Sequence, residues 1–393
     1  MYPFTHYFYI IASFLFSLLV CYRVIPSVIK LAREKKLYDE PNHRSSHKKV
    51  VPSLGGVAIF LGFTLSVLIF SNGYMIHELK YIIAATLIMF GLGIKDDLMD
   101  ISAKKKLAGQ IFAALVVIVM GGIRFTNFHG IFGIHELNYF TSVVFTIFVI
   151  IVVTNGFNLI DGIDGLASGI SGLCTFSFGL WFYLTGNYQY ALLSASLLGA
   201  LISFFKFNVF GKDLKIFMGD TGSMILGLLI SILTIQFNEL NINPDFKYAI
   251  VAAPAVSIGI LAIPLFDTIR VMLIRIKNKK SPFQPDKNHV HHRMVSLGYK
   301  HAAATFRIMA VNILFIVTAF LLDWTGNAIL LSLVICMGSF FSWFPSYLLN
   351  RKKAKEAALQ IKKEVLQTKK EPAVQTKRES EMKTKKESAF QTT

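Results

Sequence analysis

The sequence predicts an all-α polytopic membrane protein of about eleven transmembrane helices, and three observations carry the expectation. Of the 393 residues, 54% are hydrophobic and only 16% are charged, with a mean hydropathy of +0.55, which excludes an ordinary soluble globular domain. The apolar residues gather in runs close to the roughly 20 residues that a helix needs to cross a hydrocarbon core of about 30 Å. Lysine and arginine fall almost wholly in alternate loops between those runs.

In order, the runs cover 7–26, 53–71, 79–95, 107–123, 139–155, 165–184, 190–207, 221–237, 248–274, 303–322 and 326–348. The first has no basic flank before it and no small-residue cleavage site after it, so it does not read as a cleaved leader. The loops after the first, third, seventh, ninth and eleventh runs hold the basic residues, among them Arg23, Arg33, Arg44, Lys48, Lys49, Lys104, Lys105, Lys106, Lys212, Lys215, Arg275, Lys277 and Arg293. Basic residues near helix ends stay on the cytoplasmic side. This places the N-terminus outside, the C-terminus in the cytoplasm, and every acidic motif at the cytoplasmic face.

A formal charge of +17 invites a nucleic-acid reading, but its spread over the loops of a membrane protein is the positive-inside bias, and no nucleic acid is expected. Cys21, Cys174 and Cys336 each lie in or at the end of an apolar run, without metal-ligand spacing, and read as packing residues. Residues 350–393 change composition to Lys, Glu, Gln, Thr and Ser with a loose repeat of QTKKE, QTKRE and KTKKE. Two regions follow: a transmembrane catalytic domain over 1–349 and a charged cytoplasmic tail over 350–393, disordered or partly helical.

Ionisable side chains at membrane-embedded helix ends are costly, so clusters of them need a reason. Asp96, Asp97 and Asp100 follow the third run. On a helical path Asp96 and Asp100 share a face with Asp97 beside them, and a divalent cation would relieve the crowding. Asn155, Asn158, Asp161 and Asp164 are spaced by three, one polar ridge if the turn is helical. Asp220 in FMGDTGS opens the eighth helix, where N-terminal amides favour phosphate. Carboxylates with few histidine or thiolate companions suit Mg²⁺ or Mn²⁺. Helix caps and Asp-Gly turns are the plainer reading of any single one of these acids. The loop before the tenth run carries a basic stretch, then His289, His291, His292 and Arg293; it suits an anion, with zinc and a merely solvated loop as competing readings.

DDLMD, NGFNLIDGIDGL, FMGDTGS and PDKNHVHHRM, with the earlier PNHRSSHKKVVPSLGG, together resemble the polyprenyl-phosphate N-acetylhexosamine-1-phosphate transferases. They resemble the bacterial undecaprenyl-phosphate GlcNAc branch more than the MurNAc-pentapeptide branch. The resemblance covers roughly residues 7–345. It implies transfer of a sugar 1-phosphate, GlcNAc-1-phosphate by first choice, from a UDP-sugar to undecaprenyl phosphate, with release of UMP, at the cytoplasmic face of the bacterial inner membrane. The product would start a lipid-linked cell-envelope polysaccharide. The expected partners are the UDP-sugar, the polyprenyl phosphate and the bilayer, and a homodimer is compatible with the reading.

Carried over residue by residue, the resemblance makes Asp220 the principal Mg²⁺ ligand, with Asp164 as a second candidate. Asp97, with Asp96, stands at the lipid phosphate as base or charge partner. A phosphate monoester is already largely ionised near neutral pH, so positioning is the expected role. Asn158, Asp161 and Asp164 line the nucleotide side, with Phe217 stacking on uracil and Lys49 nearby. His289, His291 and His292 hold diphosphate and sugar, with Arg275 and Arg293 in support, and Asp100 completes a DDxxD pattern. The run at 276–281, Ile-Lys-Asn-Lys-Lys-Ser, departs from the more arginine-rich and glycine-containing pattern of the family and leaves the sugar open. A MurNAc-pentapeptide transferase and, from a different class, a cation-coupled transporter are the competing functions.

Overall fold

The computed structural model describes residues 3–35, 37, 51–71, 77–243, 247–279 and 288–390, without the side chains of 3–5, 362–381 and 383–390. Thirteen α-helices make up most of the described residues: α1 Pro3–Glu34, α2 Gly55–Phe70, α3 Leu79–Met99, α4 Ala103–Leu115, α5 Tyr139–Ile160, α6 Leu166–Leu184, α7 Tyr188–Phe210, α8 Gly219–Leu240, α9 Ala253–Ile260, α10 Ala262–Lys277, α11 Val290–Ser296, α12 His301–Leu321 and α13 Asn327–Phe390. Among the described residues the chain forms no sheet; an antiparallel bridge pairs Asn127 with Glu136. The all-helical expectation holds.

Seven helices are long and apolar enough to cross a membrane, or eight when α9 and α10 count as one bent span. α2 is equally apolar but has only 16 residues. These helices make the chain a multi-pass membrane protein.

The expected run 248–274 is not one straight helix. α9 and α10 meet at a bend of 78°, and Pro264 explains the break. Proline has no N–H, so the carbonyl four residues back, that of Ile260, loses its helical donor. The Cys174 thiol at 3.3 Å and the Asn312 amide at 3.4 Å donate to that carbonyl instead. Cys174 thus packs as the sequence suggests and also serves the break.

α8 lies at the centre of the first of two compact units, Met1–Ser342, and 83% of its apolar window is buried. Glycines let its neighbours approach. A Cβ on Gly93 of α3 would lie 2.3 Å from Thr221 Cα, and one on Gly56 of α2 would lie 2.2 Å from the Gly222 nitrogen. The start of α2 and the C-terminal part of α3 are therefore drawn onto the first turn of α8. The segment entering α2 is tied to the segment entering α8 by Phe217 N to Pro52 O at 2.8 Å, Gly55 N to Phe217 O at 2.9 Å and Gly56 N to Met218 O at 2.8 Å. In the second unit, Trp343–Thr393, Trp343 stacks on Tyr347 with ring centroids 5.0 Å apart, and Arg351 lies 5.6 Å above the Tyr347 ring.

Candidate active site

The N-terminus of α8 gathers the acids. Asp97, near the end of α3, accepts from the Asp220 backbone N–H through Oδ1 at 2.7 Å, and through Oδ2 from the Thr221 N–H at 3.0 Å and the Thr221 hydroxyl at 2.5 Å. A carboxylate at a helix start satisfies amides that the helix cannot pair internally and meets the positive end of its dipole. The amides expected to face phosphate are thus held by Asp97. Gly219 makes the approach feasible: its φ is +73°, and a Cβ there would lie 2.0 Å from Ser53 O and 2.7 Å from Asp97 Oδ2.

Asp220 stands beside this cap. Asn158 of α5 donates to Asp220 Oδ1 and, at 2.9 Å, to Ser223 Oγ. Lys106 of α4 reaches Asp220 Oδ1 at 2.9 Å and Asp96 Oδ2 at 2.8 Å. The Asp96 and Asp220 carboxyls are themselves within hydrogen-bonding range of each other. One ammonium therefore serves two buried or half-buried carboxylates, and Asp96 is further fixed by the Ile101 N–H at 2.9 Å.

Asp161 lies in the turn after α5. Loss of surrounding water, then the negative charges of Asp220, Asp97 and Asp164, hold its carboxyl well above the ordinary carboxylate range. Asp164 belongs to a second group: its Oδ2 meets Lys215 at 2.7 Å and His301 Nδ1 at 3.2 Å, and its carbonyl accepts from Thr305 at 2.7 Å. The same Lys215 ammonium lies 5.6 Å above the ring of Phe217. An aromatic face, a carboxylate and a cation are thereby placed together.

The histidines form a third group. His289 precedes α11 and its Nδ1 is 2.9 Å from Asp267 Oδ2. Its ring lies nearly parallel to that of His291, with centroids 5.7 Å apart, and the His292 ring lies tilted against His291 at 4.2 Å. His291 reaches the acidic turn: a Cβ on Gly162 would be 2.1 Å from its Nε2. Burial, and then the neighbouring His292, lower the His291 pKa to about 3, so the ring is neutral across the physiological range. Among the described residues neither of its ring nitrogens has a hydrogen-bond partner.

Several expectations change in detail. Asp100 adopts a left-handed conformation with φ 46° as the cap of α3 and is exposed, so the helical path that would put it on the face of Asp96 ends one residue short. The Asn155 to Asp164 ridge is helical only through Ile160; Asp161 and Asp164 sit in the following turn, and Asp164 turns to Lys215 and His301. Asn155 turns to Gln110 at 3.1 Å and to Ile151 O at 2.8 Å. Arg275 is buried on the last turn of α10, and Arg293 lies on α11. Lys49 falls outside the described residues.

Lys106, Lys215, His301 and Asp267 join the site without a motif in the sequence to mark them. The two lysines read as loop charge because the breaks around Asp100–Ser102 and Gly211 conceal their register. Asp267 did carry a signal: it is a lone acid within an apolar run, with Arg270 three residues on.

Among the described residues no three His, Cys, Asp or Glu side chains stand together as a preformed metal set. The donor chemistry nevertheless suits a hard divalent cation: carboxylate oxygens converge here, with an ammonium already neutralising two of them.

A buried carboxylate cluster with basic and imidazole groups, at one end of a bundle of membrane-length helices, defines the class: a membrane protein with one assembled polar site of the kind enzymes use. The model of the glycosyl transferase family 4 matches residues 79–238. The chain is 32% identical over 333 residues, 84% of its own length and 90% of the relative's, to a probable undecaprenyl-phosphate N-acetylglucosaminyl 1-phosphate transferase of Bacillus subtilis. It is 32% identical over 294 residues (74% of this chain, 77% of the relative) to the undecaprenyl-phosphate alpha-N-acetylglucosaminyl 1-phosphate transferase of Yersinia pestis. It is 29% identical over 279 residues (69% and 72%) to that of Escherichia coli K12. The chain belongs to the glycosyl transferase family 4.

Proposed function

We propose that this protein transfers GlcNAc-1-phosphate from UDP-GlcNAc to undecaprenyl phosphate, releasing UMP, at the cytoplasmic face of a bacterial inner membrane. The observation that carries the reading is the meeting of Asp96, Asp97, Asn158 and Lys106 around Asp220 at the first turn of α8. The names of the relatives support the acceptor and the sugar; the family resemblance supports the UDP donor.

Positioning and charge neutralisation do most of the work in phosphoryl transfer. In this reading Asp220 is the principal ligand of Mg²⁺, which when bound would polarise the diphosphate and neutralise developing charge. Asn158 and Lys106 orient Asp220 for that role. Asp97 acts by positioning: its engagement with the Asp220 and Thr221 amides favours holding the α8 end in shape over service as a base. Phe217, Asp164 and Lys215 offer a stacking face and polar edge for a uracil base. His289, His291 and His292, supported by Arg293, face the diphosphate and sugar.

The positive-inside pattern and the run lengths support about eleven spans with the N-terminus outside, counting α2, α3 and α4 as crossings together with the bent pair. A transporter instead places its coupling acids near the bilayer midplane. Sealed membrane vesicles bearing the protein, given radiolabelled UDP-GlcNAc and Mg²⁺, should convert label into a butanol-extractable lipid. Label accumulating unchanged in the vesicle lumen, with none in the lipid, would replace this reading with transport.

A further inference from the structure

Asp267 of α10 belongs to none of the motifs that mark the family resemblance, yet it is 2% exposed and each of its carboxylate oxygens meets the start of α11. Oδ2 meets His289 Nδ1 at 2.9 Å, and Oδ1 accepts from the Val290 N–H at 3.0 Å and from Arg270 at 2.8 Å. Arg270 in turn donates to the Asn288 carbonyl. The pair on α10 therefore grips three consecutive residues, Asn288, His289 and Val290, through backbone and side chain alike.

Three consequences follow for the histidine. An acceptor at Nδ1 keeps a proton on that nitrogen and sets the ring angle. The His289 Nε2 is left buried and, among the described residues, has no hydrogen-bond partner. The ring lies parallel to His291, which reaches Gly162 in the acidic turn. An unpaired buried nitrogen costs free energy unless something in the working state meets it. Asp267 is thus an anchor on one side of the stack, and the acidic turn lies on the other.

We propose that Asp267 is the positioning residue of the histidine stack: with Arg270 it fixes the His289 ring so that Nε2 is presented to the phosphorylated sugar of the donor. The proposal rests on the reading that this chain is a sugar-1-phosphate transferase, and it deepens that reading by naming what orients the donor-side imidazoles. Asp267 touches no substrate in this account; it acts through His289.

The test is a double-mutant cycle on the full-length, detergent-purified protein, using Asp267→Asn, His289→Ala and the pair, assayed with UDP-GlcNAc and undecaprenyl phosphate. Asp267→Asn should raise KM for UDP-GlcNAc, or lower kcat/KM for it, by about 10- to 100-fold, and leave KM for the lipid phosphate near wild type. Combined with His289→Ala it should add little, because the residue acts through that ring. Asp267→Glu, which keeps the charge, should recover part of the loss, and it supplies the same readout if Asp267→Asn does not accumulate. Losses that add independently, or that raise both Michaelis constants alike, would reduce Asp267 to a structural residue and overturn the proposal. Wild-type turnover with an unaffected Asp267→Asn variant would also overturn it alone, whereas a wild-type protein that makes no lipid product would overturn the underlying reading.

Discussion

The Asp97 carboxylate closes the N-terminus of the helix that carries Asp220, accepting the Asp220 N–H at 2.7 Å. Two members of the acidic set are thus joined through a backbone amide, and the conformation of one depends on the other. Removing the cap should cost stability as well as activity. Asp97→Ala should lower stability by about 0.5–2 kcal/mol, the range for loss of a helix cap, and Asp97→Asn should cost less because one acceptor oxygen remains. Thermal unfolding in detergent reads this directly; an Asp97→Ala protein that unfolds at the wild-type temperature would show that the cap carries nothing.

Lys106 gives a second test. Its ammonium is shared by Asp96 and Asp220 at 2.8 and 2.9 Å, and removing one partner of a buried charge set leaves the others uncompensated, at a cost of about 3–5 kcal/mol where burial is complete. Lys106 is 17% exposed, so Lys106→Met should fall below that range. Turnover should drop sharply, and added Mg²⁺ should restore part of the lost thermal stability by taking the place of the ammonium. A melting temperature indifferent to Mg²⁺ would deny that the carboxylates share a cation position.

Gly162 tests the contact between the acidic turn and the histidine stack. A methyl group there would overlap His291 Nε2, and His291 is 1% exposed with little room to retreat. Gly162→Ala should therefore displace the ring and reduce kcat/KM by about 100-fold, the scale of a 1 Å misplacement. Overpacking should cost about 1–3 kcal/mol of stability. Wild-type kinetics in the variant would remove His291 from the site.

The tail provides a negative control. Deleting residues 355–393 should leave turnover close to wild type, because no residue assigned to the reaction lies beyond Arg293. A truncated protein that inserts and folds but is inactive would give the tail a part in catalysis.

Much of this was legible in the sequence because membrane helices announce themselves by length and hydropathy, and because Asp96, Asp97, Asp161 and Asp220 interrupt apolar runs where burial of charge is costly. What stayed hidden depends on chain direction after a helix ends. Asp100 turns away through a single left-handed residue, and Asp164 leaves the Asp220 group because the turn after Ile160 points it to Lys215 and His301. Lys106 becomes a partner of Asp220 only once α3 and α4 are folded against α8. The break at Pro264 could be suspected from the proline; the donors that meet the Ile260 carbonyl could not.

The central claim is tested most directly by giving the purified protein UDP-GlcNAc, undecaprenyl phosphate and Mg²⁺, and following UMP and the lipid product together. The account predicts UMP released in step with undecaprenyl-diphospho-GlcNAc, with both lost in Asp220→Asn or recovered only at much higher Mg²⁺. UMP release that requires UDP-MurNAc-pentapeptide instead, or an Asp220→Asn enzyme working normally at ordinary Mg²⁺, would contradict it.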